Sequence, residues 1–236
     1  MKKELLIFGA NGALGKGITE VLTEKDFDKV YLFDFDLTGL PDWKNIDKII
    51  IKDLADEKNV IDSFSKVTPS KEKYYFLYST VGGFAGGNNI WETEVEELNK
   101  MINMNFKSSF FIAKHFARLV KESSGGSICF TAAFTGVNPE TKKAAYGSAK
   151  AALIHLVKTL SLEGKEINLT VNAIAPYIID TPANRDWMPA PTLSGKDADY
   201  EKWMKPQEIG ELVNSIFNHF NFLTGNIINL THRFKI

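Results

Sequence analysis

Leu5-Leu6-Ile7-Phe8-Gly9-Ala10-Asn11-Gly12-Ala13-Leu14-Gly15 is the stretch on which the fold turns. Four apolar residues read as a short strand, the glycines as a tight turn, and the residues from Gly15 to Thr23 as the helix that follows. In such a turn Gly9 permits the bend, Gly12 lets backbone approach phosphate oxygens, and Gly15 allows the helix to pack closely on the strand. Asn11, Ala13 and Leu14 complete the backbone around the helix start, where N–H groups face an anion. A spaced glycine triplet alone also suits a plain strand-to-helix turn, so the reading needs a second feature.

That feature is Asp34, at the end of the second apolar run. A carboxylate about 20 residues after the turn accepts hydrogen bonds from ribose hydroxyls and repels a 2′-phosphate. NAD(H) is therefore favoured as cofactor. Lys16, an ammonium in the glycine loop, keeps NADP(H) open, although a solvated helix charge accounts for it as well.

Working outward, short apolar runs alternate with longer amphipathic ones. Leu5–Phe8, Val30–Phe33, Lys48–Ile51, Tyr74–Tyr78, Ser127–Thr131, Leu169–Ala175 and Asn226–Leu230 read as strands. Helical stretches lie near Gly15–Thr23, Glu57–Ser65, Glu92–Lys121, Tyr146–Leu162 and Pro206–Phe220. This rhythm predicts an α/β fold, a Rossmann-like doubly wound parallel sheet of about seven strands with helices on both faces. The whole of 1–236 is expected to form a single NAD(P)-binding domain. One long irregular region, about 176–205, carries Pro176, Pro182, Pro189 and Pro191 and follows a strand's carboxyl end, so it reads as a substrate lid.

The composition sets bounds. A chain of 236 residues with 44% hydrophobic and 24% charged content can build one sizeable core. The net charge of −1 offers no electrostatic attraction for nucleic acid or an anionic membrane, so the expected partner is a small-molecule substrate. Cys129, the single cysteine, sits in an apolar strand and reads as core packing, and a reduced, cytoplasmic setting is expected. No apolar run approaches the length of a membrane span or signal segment. His115, His155, His219 and His232 lack metal-ligand spacing and read as surface or helix residues, so no metal is expected. Glu92, Glu94, Glu96 and Glu97 crowd a helix start, where negative charge complements the macrodipole.

Tyr146-Gly147-Ser148-Ala149-Lys150 places a phenol and an ammonium at i and i+4, on one helix face. A positive neighbour favours phenolate and would lower the tyrosine pKa from about 10, giving an acid–base group near neutrality. Downstream of a nucleotide-binding turn, the pair suggests hydride chemistry.

On these residues the chain resembles the short-chain dehydrogenase/reductase family over essentially its whole length. The glycine turn, Asp53 in Ile51-Lys52-Asp53-Leu54, Asn105 in Asn103-Met104-Asn105-Phe106, Tyr146 with Lys150, and Asn172-Ala173-Ile174-Ala175-Pro176 through Asp180-Thr181-Pro182 fall in the family's order. The resemblance implies Tyr146 as proton donor or acceptor. It implies Lys150 as the group that lowers the phenol pKa and binds the nicotinamide ribose, with Asn105 supporting a water relay. Asp53 would meet the adenine, Val81 and Gly82 would form the cofactor floor, and Pro176, Ile179 and Thr181 would hold the nicotinamide side. The helical stretches Met101–Val120 and Tyr146–Leu162 would form the interface of a homodimer or homotetramer.

Two departures point to the substrate. The family places a serine thirteen residues before the tyrosine to hydrogen-bond the substrate oxygen, and here Ala133 stands there. The familiar Asn-Asn-Ala-Gly is replaced by Ser79-Thr80-Val81-Gly82, followed by Gly83-Phe84-Ala85-Gly86-Gly87-Asn88. With the lid residues Asp180 to Arg185, both departures resemble the dihydropteridine reductase branch of the family, which implies a quinonoid dihydropterin as acceptor. Thr131 and Thr135 are the candidates to replace the serine hydroxyl, Thr131 lying about 7 Å along the strand from position 133. Phe84 is expected to stack on a flat substrate or to plug the core, and Trp187 to close an apolar pocket. A 3-oxoacyl-thioester or small-ketone reductase is the alternative activity, and a dinucleotide-sensing protein without turnover the alternative class.

Overall fold

The structure, a computed structural model, describes residues 1–188 and 199–232. Its strands are β1 (Lys2–Phe8), β2 (Lys29–Asp34), β3 (Ile46–Ile50), β4 (Lys73–Ser79), β5 (Gly125–Thr131), β6 (Leu169–Pro176) and β7 (Ile227–Leu230). All pair in parallel, in the order β3-β2-β1-β4-β5-β6-β7. The predicted seven-stranded parallel sheet is thus observed. Its strand order reverses between β1 and β4, and the crevice beyond their carboxyl ends is where open α/β sheets bind ligands.

Alternation along β1 divides the core. Leu6 and Phe8 face a layer built by α2 (Glu57–Phe64), α4 (Ser108–Lys121) and α6 (Ala144–Glu163). Leu5 and Ile7 face the layer of α1 (Ala13–Thr23) and α8 (Pro206–Asn218). Every one of these four β1 side chains is fully buried, as period-two alternation demands of a strand covered on both faces. Cys129 packs in the second layer.

The helical run expected over Glu92–Lys121 is more segmented than the sequence suggests. A 3₁₀ turn, Ile90–Glu92, precedes α3 (Val95–Ile102), and a π-helical turn, Asn103–Lys107, joins α3 to α4. The cause lies at Asn105, whose buried amide Nδ2 donates to the Met101 carbonyl four residues back at 3.1 Å. A side chain that competes for the i−4 carbonyl displaces the regular ladder.

The region read as an irregular lid also carries structure. Thr181 caps α7 (Pro182–Trp187), accepting the Asn184 N–H on its hydroxyl at 3.3 Å, with Pro182 in the first turn. A 3₁₀ turn, Tyr200–Lys202, follows, and Ile179 bridges to Met204 in parallel. Pro189 and Pro191 of the expected lid lie outside the described residues. A short helix α5 (Phe134–Val137), not anticipated, leads from β5 toward α6. His115, read as a surface or helix residue, is a buried residue of α4, and its Nε2 lies 2.9 Å from a Glu57 carboxylate oxygen.

Candidate active site

The strand carboxyl ends open into a cleft of about 470 Å³ that runs from the glycine turn to α7. Its inner end is the turn after β1. Gly9 adopts φ +79°, and a Cβ there would collide with the Thr80 hydroxyl. A Cβ at Gly15 would collide with the Gly9 carbonyl, so the close approach of α1 to the turn needs glycine. Thr80 Oγ1 donates to that same carbonyl at 2.8 Å and ties β4 to the turn. The Ser79-Thr80-Val81-Gly82 segment therefore helps shape the floor of the cleft, with Thr80 and Gly82 among its lining.

Asp34 stands where the sequence placed it, at the end of β2 beside this turn. Its two carboxylate oxygens accept the backbone N–H groups of Asn11 and Phe35, each at 2.7 Å. The amide nitrogen of Asn11 donates to the Thr38 carbonyl at 3.3 Å, while its buried Oδ1 has no partner among the described residues. A buried acceptor left unpaired is costly. Next to a carboxylate with lone pairs to spare, it fits a ligand that brings hydroxyl donors, as a nucleotide ribose does. Gly12, Ala13, Leu14 and Gly15 line the cleft in front of it, and a Cβ at Gly12 would meet only the Gly9 carbonyl at 3.6 Å. Asp53 lies in the exposed turn after β3, away from the cleft's lining, with Oδ1 accepting the Ala55 N–H at 2.9 Å. Pro176, Ile179 and Thr181 form the opposite wall.

Tyr146 and Lys150 lie together at the cleft's centre, with Nζ 5.9 Å from the centroid of the phenol ring. Nζ donates to the Thr131 carbonyl at 2.8 Å, which anchors the ammonium to the end of β5. Their electrostatics correct the expectation of a lowered phenol pKa. Burial, reinforced by the Glu140 charge, raises Tyr146 well above its usual value, and burial lowers Lys150 to about 7. Desolvation disfavours both charged forms and outweighs their mutual attraction. Tyr146 is consequently a protonated phenol at neutral pH, the form that donates a proton.

Asn105 reaches the site through backbone. Its Nδ2 donates to the Gly83 carbonyl at 2.9 Å and its Oδ1 accepts the Gly83 N–H at 3.1 Å, so the amide clamps the segment after β4. Gly82 fits between this amide and Lys150: a Cβ there would stand 2.6 Å from Asn105 Oδ1 and 3.1 Å from Nζ.

The outer half of the cleft is aromatic. Phe84 meets Trp187 edge to face at 4.7 Å between ring centroids and Tyr146 at 5.1 Å. Phe84 is 37% exposed and lines the cleft, so it is a wall of the site and not a core plug. Ala133 and Thr135 line the same space. Both nearby threonine hydroxyls are already hydrogen-bonded. Thr131 Oγ1 is buried against the Tyr78 hydroxyl at 2.7 Å, and the Thr135 hydroxyl donates to the Glu140 carboxylate.

Two groups escaped the sequence reading. Lys143 lines the cleft, and Glu140 holds its ammonium at 3.0 Å. Lys143, the N-cap residue of α6, stands three residues before Tyr146 and seven before Lys150, and that spacing is the signal by which it could have been found.

Comparison with known proteins decides the lineage. The profile of the short chain dehydrogenase family matches residues 3–191. The chain belongs to the short-chain dehydrogenase/reductase family. It is 30% identical over 215 residues to a dihydropteridine reductase of Dictyostelium discoideum, covering 89% of this chain and 86% of the relative. An NADH-dependent L-xylulose reductase of Ambrosiozyma monospora is 26% identical over 162 residues, covering 66% and 58% of the two chains. Among solved structures, ElxO with NADP bound superposes with a TM-score of 0.83 at 23% identity, covering 98% of both chains. A short chain dehydrogenase family protein of Francisella tularensis gives 0.81 at 21%, again over 98% of both. These structures share the fold. The chain is thus a nicotinamide-cofactor-dependent oxidoreductase of the short-chain type. Among the described residues, no helix is long and apolar enough to cross a membrane.

Proposed function

We propose that this chain is an NADH-dependent reductase of an activated, flat acceptor, a quinonoid dihydropterin being the type. The observation that carries the reading is the absence of a serine hydroxyl thirteen residues before Tyr146. Position 133 is alanine, the Thr135 hydroxyl is donated to Glu140, and Thr131 Oγ1 is paired with the Tyr78 hydroxyl. An oxyanion donor is worth about 10²–10³ in rate, so a site without one suits an acceptor that is already electrophilic. The edge-to-face pair of Phe84 and Trp187 offers a wall for a flat ring. The 30% identity to a dihydropteridine reductase supports the same choice.

NADH, when bound, supplies the hydride. Asp34 and Asn11 hold the adenosine ribose, and the carboxylate disfavours a 2′-phosphate; NADP(H) is the less favoured partner. Gly9, Gly12, Ala13, Leu14 and Gly15 receive the pyrophosphate on backbone N–H groups. In this reading Asp53 is assigned to the adenine, Val81 and Gly82 to the cofactor floor, and Pro176, Ile179 and Thr181 to the nicotinamide side. Lys150, anchored on Thr131, binds the nicotinamide ribose beside Tyr146, and Asn105 keeps Gly83 and its neighbours in register with both. Tyr146 Oη then gives its proton to the acceptor. The phenol carries its proton at neutral pH, as reduction requires of the donor.

The whole of 1–236 acts as one domain in this reading, with α7 closing the substrate end. Exposed Trp91, Val95, Leu98 and Phe110 beside or along α3 and α4 support a homodimer or homotetramer. The test is product formation: the purified protein with NADH and a quinonoid dihydropterin, generated in situ, should yield tetrahydropterin by chromatography. No tetrahydropterin above the protein-free control overturns the assignment.

A further inference from the structure

Lys143 is the second lysine of the cleft and the one that the cofactor-side chemistry leaves unused. Its ammonium stands 5.9 Å from the ring centroids of both Phe84 and Trp187, inside the aromatic half of the site. Glu140 bonds it at 3.0 Å, and the same carboxylate accepts the Thr135 hydroxyl, so Glu140 tethers the ammonium. An ammonium has three donors, and this contact occupies one.

The backbone is also built to place it. Lys142, immediately before, adopts φ +61°, a left-handed conformation that a residue with a long side chain seldom takes. Its carbonyl accepts the Gly87 N–H at 2.9 Å. Gly86 lies so close that a Cβ there would stand 2.8 Å from the Lys142 carbonyl and 3.1 Å from the Phe84 ring. The glycine segment after β4 and the turn before α6 are therefore docked on each other, which holds Phe84 and Lys143 on one wall. Backbone held in a sparsely populated region by such contacts is characteristic of functional sites.

We propose that Lys143 is a specificity-determining residue that hydrogen-bonds an acceptor edge, a ring carbonyl oxygen or an anionic oxygen, on a flat substrate lying against Phe84 and Trp187. This rests on the reading of the protein as a reductase of flat, activated acceptors. For a pterin the acceptor is the ring carbonyl oxygen. The contact orients the ring so that its reducible bond lies toward Tyr146, and it forms in the ground state and the transition state alike. Its removal should accordingly raise KM and spare kcat.

The experiment uses Lys143→Met, which keeps the aliphatic stem and removes the charge, and Lys143→Arg, which keeps a charged donor. Two readouts run in parallel: steady-state reduction of a quinonoid dihydropterin, and equilibrium binding of oxidised pterin followed by quenching of tryptophan fluorescence. NADH affinity is titrated in each variant. Lys143→Met should raise KM and the pterin Kd about tenfold, in keeping with one charged hydrogen bond, with kcat within about twofold of wild type. NADH affinity should be unchanged, and Lys143→Arg should recover a large part of the loss. A merely structural role would instead lower kcat and NADH affinity together. Pterin binding by Lys143→Met equal to wild type overturns the proposal, whatever the turnover. Wild-type protein that binds pterin through Lys143 without reducing it overturns the assigned reaction and leaves the contact standing; wild-type protein that binds no pterin overturns both.

Discussion

Restoring the missing hydroxyl, by Ala133→Ser, probes the substrate assignment most sharply. Ala133 is 5% exposed, lines the cleft and opens α5 without a side-chain cap. A serine there can accept a backbone N–H of the first turn, worth about 1 kcal/mol as a cap, while its O–H remains to donate into the cleft. For a chain of this size that is a rise in Tm of roughly 2–4 °C, which reports that the side chain is seated. Thr135 does not compete for the role, because its hydroxyl is donated to Glu140, and Thr131 Oγ1 is buried against the Tyr78 hydroxyl. A plain ketone develops charge on an oxygen that no serine hydroxyl now serves beside Tyr146, and such a donor is worth up to about 10²–10³ in a tuned site. In an untuned one we expect kcat/KM for a small ketone or an acetoacetyl thioester to rise about ten- to a hundredfold. A quinonoid dihydropterin should change less than about threefold, since its reduction leans less on that donor. The assay is NADH oxidation at saturating cofactor, with Tm measured on the same preparations. If Tm rises and ketone reduction does not, or if both acceptors gain equally, the argument from the absent donor is refuted.

Three further outcomes follow from the site. Tyr146→Phe removes a proton and almost no volume, so turnover should fall about 10²- to 10⁴-fold with NADH affinity intact; near-wild-type rates would remove Tyr146 as donor. Asp34→Ala removes the carboxylate beside the ribose site, so wild type should bind NADH more tightly than NADPH and the variant should narrow the gap by fluorescence titration; a wild-type preference for NADPH contradicts the cofactor assignment. Lys150 titrates at about 7 in the folded protein and near 10.4 unfolded, so between these values the unfolded chain binds the extra proton and stability rises with pH. Lys150→Met should therefore exceed wild type in stability most at and below pH 7, and the difference should shrink by on the order of 2–3 kcal/mol between pH 7 and pH 9.5 in denaturant melts; a pH-independent difference would refute the burial argument.

The sheet and its two helical layers were legible because parallel strands buried on both faces are short continuous apolar runs, and Leu5 to Phe8 is one. Tyr146, Lys150, Asp34 and the glycine turn were legible for a related reason: their chemistry fixes spacing along the chain. What escaped depends on contacts across it. The π-turn arises because Asn105 satisfies Met101 and Gly83 at once, and no local periodicity records the second partner. α5 and α7 are too short to show a stripe. The commitment of Thr131 to Tyr78 joins neighbouring strands 53 residues apart in sequence, so the sequence could nominate that hydroxyl but not exclude it. The pKa of Tyr146 followed the same pattern, since the pair spacing shows an attraction but hides the depth of burial that outweighs it.

The central claim, a reductase specialised for an activated acceptor, meets its most direct test in the wild-type protein alone. The quantity is the ratio of kcat/KM for a quinonoid dihydropterin to that for an acetoacetyl thioester, each measured by NADH oxidation at saturating cofactor. The account predicts a ratio of about 10² or more, the contribution of the oxyanion donor that only the thioester ketone misses. A ratio near one or below, with thioester reduction abolished by Thr131→Val or Thr135→Val, would contradict it and make the protein a ketone reductase in which a threonine serves for the serine.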